Sequence, residues 1–135
     1  MILEPTKGGL MTVQSSFTKV RNDLMHGFRE KMSRAESTED VRKFYVNTML
    51  DLISRVVGQN TTLNPDDIRL SPESTDGYFL NPTVIDHPHF RAAWNDSDLP
   101  HIMDDFTQKA LNRYSRLSTG NEKTRLKIHH TDGKR

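Results

Sequence analysis

The sequence predicts an all-α fold: a small antiparallel bundle of three main helices, one or two short helices, a long irregular connection and a mobile C-terminal tail. Three observations lead there. Apolar residues recur at three- and four-residue spacing in three separate stretches. Helix start and stop residues sit at the ends of those stretches. The 135 residues suffice for one domain with one modest core.

The first helix is predicted from about Thr12 to Ala35. Val13, Phe17, Val20, Leu24, Phe28 and Met32 fall on one narrow face. Asp23, His26 and Glu30 lie opposite and point to solvent, whereas carboxylate–histidine di-metal clusters project into a bundle. Gly27 interrupts the helix at about 1 kcal/mol relative to alanine, unless it permits a close helix approach.

The second helix starts at Ser37 as N-cap, with Glu39 and Asp40 in the first turn near the positive helix end. Val41, Tyr45, Val46, Met49, Leu50, Leu52, Ile53, Val56 and Val57 cover about half its circumference. Lys43, Asn47, Asp51 and Ser54 form the polar stripe, and Gly58 is the stop. So apolar a helix is central. Three helices alone leave it partly uncovered, which predicts a homodimer.

The third helix carries the stripe Leu99, Ile102, Met103, Phe106, Ala110, Tyr114 and Leu117. Asp98, Asp104 and Asp105 come early and Lys109, Arg113 and Arg116 late, an order that complements the helix dipole. Pro100 is tolerated because it falls in the first turn.

Between the second and third helices, Gln59 to Asp96 contains Pro65, Pro72, Pro82 and Pro88. It is too long for an empty loop. "NPDDI" (Asn64 to Ile68) reads as a capped single turn, and "GYFLNP" (Gly77 to Pro82) as an extended run with its aromatics on the bundle. "PHFRAAW" (Pro88 to Trp94) reads as a short helix with Pro88 at its first position and Asp86 or His87 as cap. Ser97 or Asp96 caps the helix that follows. Phe90 and Trp94 are four apart and share a face.

Residues 1–10 are expected to be a disordered leader, 11–117 the helical domain, and 118–135 a basic flexible tail. Lys7-Gly8-Gly9 can be encoded by a ribosome-binding sequence just upstream of Met11, so Met11 rather than Met1 is the expected natural start. Hydrophobic residues make up 33% and mean hydropathy is −0.73, which implies a small core. No apolar run approaches the roughly 20 residues of a membrane span. The start lacks the charged and apolar regions of a secretory signal, so the expected location is cytoplasmic. With no cysteine, disulfides and thiolate metal sites are excluded.

Net charge is +1 and unevenly spread. Ser118 to Arg135 has five Lys/Arg against two acids, giving +3; Gln59 to Asp98 has two against seven, giving −5. There is no P-loop, no dinucleotide-binding glycine pattern, no nucleophile elbow and no His-Glu-x-x-His. The reading is therefore a non-enzymatic protein without a cofactor that self-associates or docks on a protein partner. Its candidate anchors are Tyr78, Phe79, Phe90 and Trp94, residue types that hold interfaces together, set in an acidic, proline-punctuated stretch. The alternative is a nucleic-acid-associated helical protein using Arg113, Arg116, Lys123, Arg125 and Lys127 on phosphates. A third reading is metal binding by His87 and His89, with Asp86 nearby and His101 as a further ligand. Two positions apart on a helix, His87 and His89 diverge by about 200°; only extended backbone converges them. His129-His130 reads as a solvated pair.

Overall fold

The computed structural model describes residues 16–58 and 62–130, with side chains through residue 119. The protein is mostly helical, as predicted, with five α-helices and one two-stranded sheet among the described residues. The expected leader, and Val13 of the predicted first stripe, lie outside them. No helix among the described residues is long and apolar enough to cross a membrane.

Helix α1 spans Thr18–Arg34 and buries Met25, Phe28 and Met32. Its own N-cap residue, Phe17, supplies no capping side chain. The cap comes from 81 residues away: one Asp98 carboxylate oxygen accepts the Phe17 N–H at 2.8 Å. The other accepts the Ser16 hydroxyl at 2.9 Å and the Thr18 hydroxyl at 3.2 Å. Partial burial pulls the Asp98 pKa upward, but these donors outweigh it and hold the carboxyl below its usual range. A depressed folded pKa gives stability that is present above the unfolded value and lost as pH falls through the folded one. Asp98→Ala is therefore expected to cost about 1 kcal/mol at neutral pH, the usual worth of a helix cap. Denaturant titrations should show that difference shrinking below the carboxylate range. A gap that persisted in acid would refute an ionic cap.

On the outer face of α1, the His26 imidazole lies 3.5 Å from Glu30, and Asp23 lies 3.9 Å from both Lys19 and Arg55. Gly27 is exposed, and an added Cβ would meet nothing within 4 Å. The close-approach reading of this glycine therefore fails. Gly27→Ala should raise stability by about 0.5–1 kcal/mol through helix propensity alone. An unchanged or lowered melting temperature would contradict this.

Helix α2 spans Thr38–Val57, and the Ser37 hydroxyl accepts the Asp40 N–H at 3.1 Å. Gly58 stops it at φ 96°, donating its N–H to the Ser54 carbonyl at 3.0 Å. Tyr45 is fully buried, and its hydroxyl bonds Thr107 at 2.7 Å while Thr107 donates onward to the Met103 carbonyl. Burial pushes the Tyr45 phenol well above its ordinary pKa.

The all-α expectation needs one correction. A single 3-10 turn at Pro65–Asp67, closed by the reciprocal Asn64–Asp67 capping box, leads into strand β1, Ile68–Leu70. Strand β1 pairs antiparallel with β2, Tyr78–Leu80, with Ile68 opposite Leu80 and Leu70 opposite Tyr78. Only Ile68-Arg69-Leu70 alternates buried and exposed, too short a run for periodicity to reveal. Arg42 of α2 pins this ribbon. Its guanidinium donates to the Leu70 carbonyl at 3.1 Å and the Tyr114 hydroxyl at 3.0 Å, and lies 5.1 Å from the Tyr114 ring centroid.

Two short helices follow: α3, Pro82–Ile85, capped by Asn81, and α4, Pro88–Asp96, capped by His87. The last helix, α5, runs Leu99–His130. Helices α1, α2 and α5 pack on one another, and Phe28 meets Phe106 edge to face with centroids 5.1 Å apart. Strand β1, the 3-10 turn and α4 also pack on α2. Much of the central helix is thus covered from within the chain, while Val46, Leu50 and Val56 of its apolar face stay half-buried.

Helix α5 also runs past Leu117, where the apolar stripe read from the sequence ends. Its backbone continues helical to His130. From Leu117 to His130 there is no proline, and Glu122, Lys123, Arg125, Leu126 and Lys127 are good helix formers. Gly120 is one isolated weak position of about 1 kcal/mol. Lost apolar periodicity ends the packed face of a helix, not necessarily the helix.

Candidate functional site: an aromatic groove between the ribbon and the short helices

The short helices exist because of local chemistry. Asn81 accepts the Thr83 N–H at 3.1 Å and Pro82 pre-sets the first turn of α3. His87 Nδ1 accepts the His89 N–H at 3.1 Å and Pro88 does the same for α4. These two capped starts fold the chain back so that α4 lies beside β2.

The result is an open groove of about 640 Å³ that gathers all four aromatics proposed from sequence. Tyr78 and Phe79 enter from β2, Phe90 and Trp94 from α4. Phe90 is buried and forms the floor; Trp94 is half-buried and stacks on it, with centroids 5.6 Å apart and planes at 23°. Ile85 of α3 joins the wall and is 43% exposed, the one large hydrophobic residue so exposed among the described residues. The sequence reading did not single it out, because a four-residue helix has no face to detect.

Charge surrounds the apolar surface. Arg69, opposite Phe79 in the ribbon, holds its guanidinium 4.5 Å from the Phe79 ring centroid. Arg91 lies 3.2 Å from Asp86, both well exposed. Asp76 lines the groove. Burial, then the nearby Asp76 and Asp104 carboxylates, push the Tyr78 phenol up to about 12. The lining includes no histidine, serine or cysteine. The groove is thus an apolar surface with a border of mixed charge, Asp76 and Asp86 against Arg69 and Arg91.

The other sequence candidates fall elsewhere. The His87 and His89 rings lie 5.5 Å apart, closer than two helical positions would allow, because His87 is in extended backbone as the cap. His101 is exposed on α5. Among the described residues no group of three or more histidine or carboxylate side chains gathers as a metal site requires. Arg113 and Arg116 line a separate cleft of about 290 Å³ with Arg29 and Lys109. Lys123, Arg125 and Lys127 continue along α5, their side chains outside the described residues. A third depression, about 510 Å³ beside β1, mixes Glu39 and Asp66 with Arg42, Lys43 and Arg69.

Fold and groove together define a mostly helical protein with an open groove lined by aromatic side chains. Compared with known protein families, characterised proteins and solved structures, the chain matches none.

Proposed function

We propose that this chain is a protein-docking module whose aromatic groove receives an apolar segment of a partner protein flanked by lysine or arginine. The observation that carries this is the meeting of Tyr78, Phe79, Phe90 and Trp94, from two separate elements, with exposed Ile85 in one open groove. Aromatic residues seated on a buried base are the usual anchors of protein interfaces. The basic flank follows from charge. The groove's rim itself is mixed, with Asp76 and Arg91 lining it and Arg69 over Phe79, but Gln59 to Asp98 as a whole carries −5. In this reading the three long helices are an antiparallel bundle that serves as a rigid scaffold, and the ribbon and α4 are its recognition surface.

The single tryptophan makes the test direct, because Trp94 emission reports on the groove alone. Peptides selected from a random library on the full-length protein should share an aromatic or aliphatic anchor beside Lys or Arg. Titrating them should shift Trp94 fluorescence. Selected peptides that leave the emission unchanged, or a selection that yields none, would overturn the proposal. A shift that grows with protein concentration alone, with a native mass of twice 15.6 kDa, would assign the groove to a second copy instead.

A further inference from the structure

Away from the aromatic groove, the junction of α1 and α5 concentrates positive charge. Its cleft of about 290 Å³ is lined by Arg29, Lys109, Arg113 and Arg116, with Ser33 and Asn112 as neutral polar neighbours. No aspartate or glutamate lines it. None of the four cations makes an ion pair among the described residues, although six ion pairs form elsewhere on them. Two other cations, Lys31 and Arg34, lie in the last turn of α1.

Arg113 is the informative member. Its terminal nitrogen donates to the Ala35 carbonyl at 2.8 Å and more weakly to the Ser33 carbonyl at 3.4 Å, which accounts for one edge of the guanidinium. Its Nε is shielded from solvent and has no hydrogen-bond partner. A buried donor left unmade costs about 1–3 kcal/mol, more when charged, so such groups are normally satisfied by something. Capping the end of α1 explains Arg113 only in part, and explains none of Arg29, Lys109 and Arg116. Four like charges around one small cleft repel one another, and an anion seated among their exposed ends relieves that repulsion.

The surroundings indicate which anion. The helix that carries Lys109, Arg113 and Arg116 continues to His130 and bears Lys123, Arg125 and Lys127 along the way. From Arg113 to Lys127 it rises roughly 21 Å at about 1.5 Å per residue. A helix of that length with five Lys or Arg positions from Arg113 to Lys127 suits a chain of phosphates rather than one small ion. We propose that the Arg29–Lys109–Arg113–Arg116 cleft seats a backbone phosphate of a nucleic acid, which then follows α5 without reading its sequence. This stands apart from the groove reading: the residues are different, and so is the ligand.

The test is fluorescence anisotropy of labelled random-sequence oligonucleotides, single-stranded and duplex, on the full-length chain over a range of salt. Binding should weaken linearly in log affinity against log salt. The double variant Arg29→Gln/Arg116→Gln changes two side chains that make no hydrogen bond among the described residues, and its thermal melt should match the parent. It should bind about tenfold or more weakly and lower the salt slope by about two. Trp94→Ala should leave oligonucleotide affinity unchanged. The proposal is overturned by any of three results: no binding at low salt, unchanged affinity in the double variant, or preferential binding to anionic-lipid vesicles over oligonucleotides. If only Lys123→Gln/Arg125→Gln/Lys127→Gln abolished binding while the double variant retained it, the cleft would likewise be excluded.

Discussion

Gly77→Ala is expected to destabilise the protein by about 2–4 kcal/mol, from two separable causes. The first is backbone conformation. Gly77 sits at φ 86°, where an L side chain costs roughly 1–2 kcal/mol. The second is space. A Cβ there would lie 2.8 Å from Thr107 Cγ2 and 2.9 Å from Leu111 Cδ1, both on α5. Overpacking of this kind costs about 1–3 kcal/mol. Gly77 cannot move independently of the ribbon, because its carbonyl accepts the Ser71 N–H at 2.8 Å and its own N–H donates to Ser74 at 3.2 Å. Against a typical total of about 5–15 kcal/mol, this is a large share. Denaturant titration measures it, and a loss under roughly 0.5 kcal/mol, the range of ordinary surface changes, would refute the assigned geometry. A double-mutant cycle with Thr107→Ser separates the causes. Removing Cγ2 relieves part of the crowding and none of the dihedral cost, so the coupling should recover a fraction of the loss.

Trp94→Ala is expected to weaken the selected peptides by about thirtyfold or more, the roughly 2 kcal/mol loss that marks an interface hot spot. Its effect on folding should be smaller, about 1–2 kcal/mol. Trp94 is half-exposed, and what it gives the fold is partial burial and its stack on Phe90. Phe90 is 3% exposed, and its truncation should instead cost about 3–5 kcal/mol, like any large core residue. The pair thus separates floor from surface within one groove. Parallel measurement of melting and peptide affinity gives the answer. A stability loss near that of Phe90→Ala would place Trp94 in the core and remove it from the docking surface. Unchanged affinity would end the groove's claim to bind through it.

Much of the helical content was legible in the sequence. The Phe28–Met32 stripe, the broad apolar face from Val41 to Val57 and the Leu99–Leu117 stripe all mark helices that form. The stacking of Phe90 on Trp94 follows from four-residue spacing on a helix whose start Pro88 announces. Missed features were short or distant. The strand Ile68–Leu70 has three residues, and α3 has four, so neither completes a detectable period. Arg29 had no local signal tying it to Lys109 and Arg113. Its neighbours in the cleft are some 80 residues along the chain, and charge counts over segments do not see convergence across a fold.

What the sequence by itself determined is what acts within about one helical turn: the apolar stripes, the caps at Ser37 and Asn64, the start at Pro88 and the stop at Gly58. Those interactions join residues a few positions apart, so spacing alone encodes them. Tertiary structure decided the rest. It placed Asp98 at the start of α1, the ribbon over α2, Gly77 against α5, and Tyr78 and Phe79 beside Trp94. Each depends on segments brought together only when the apolar faces bury one another. Such contacts repeat at no fixed interval, and their partners leave no periodic trace in the chain.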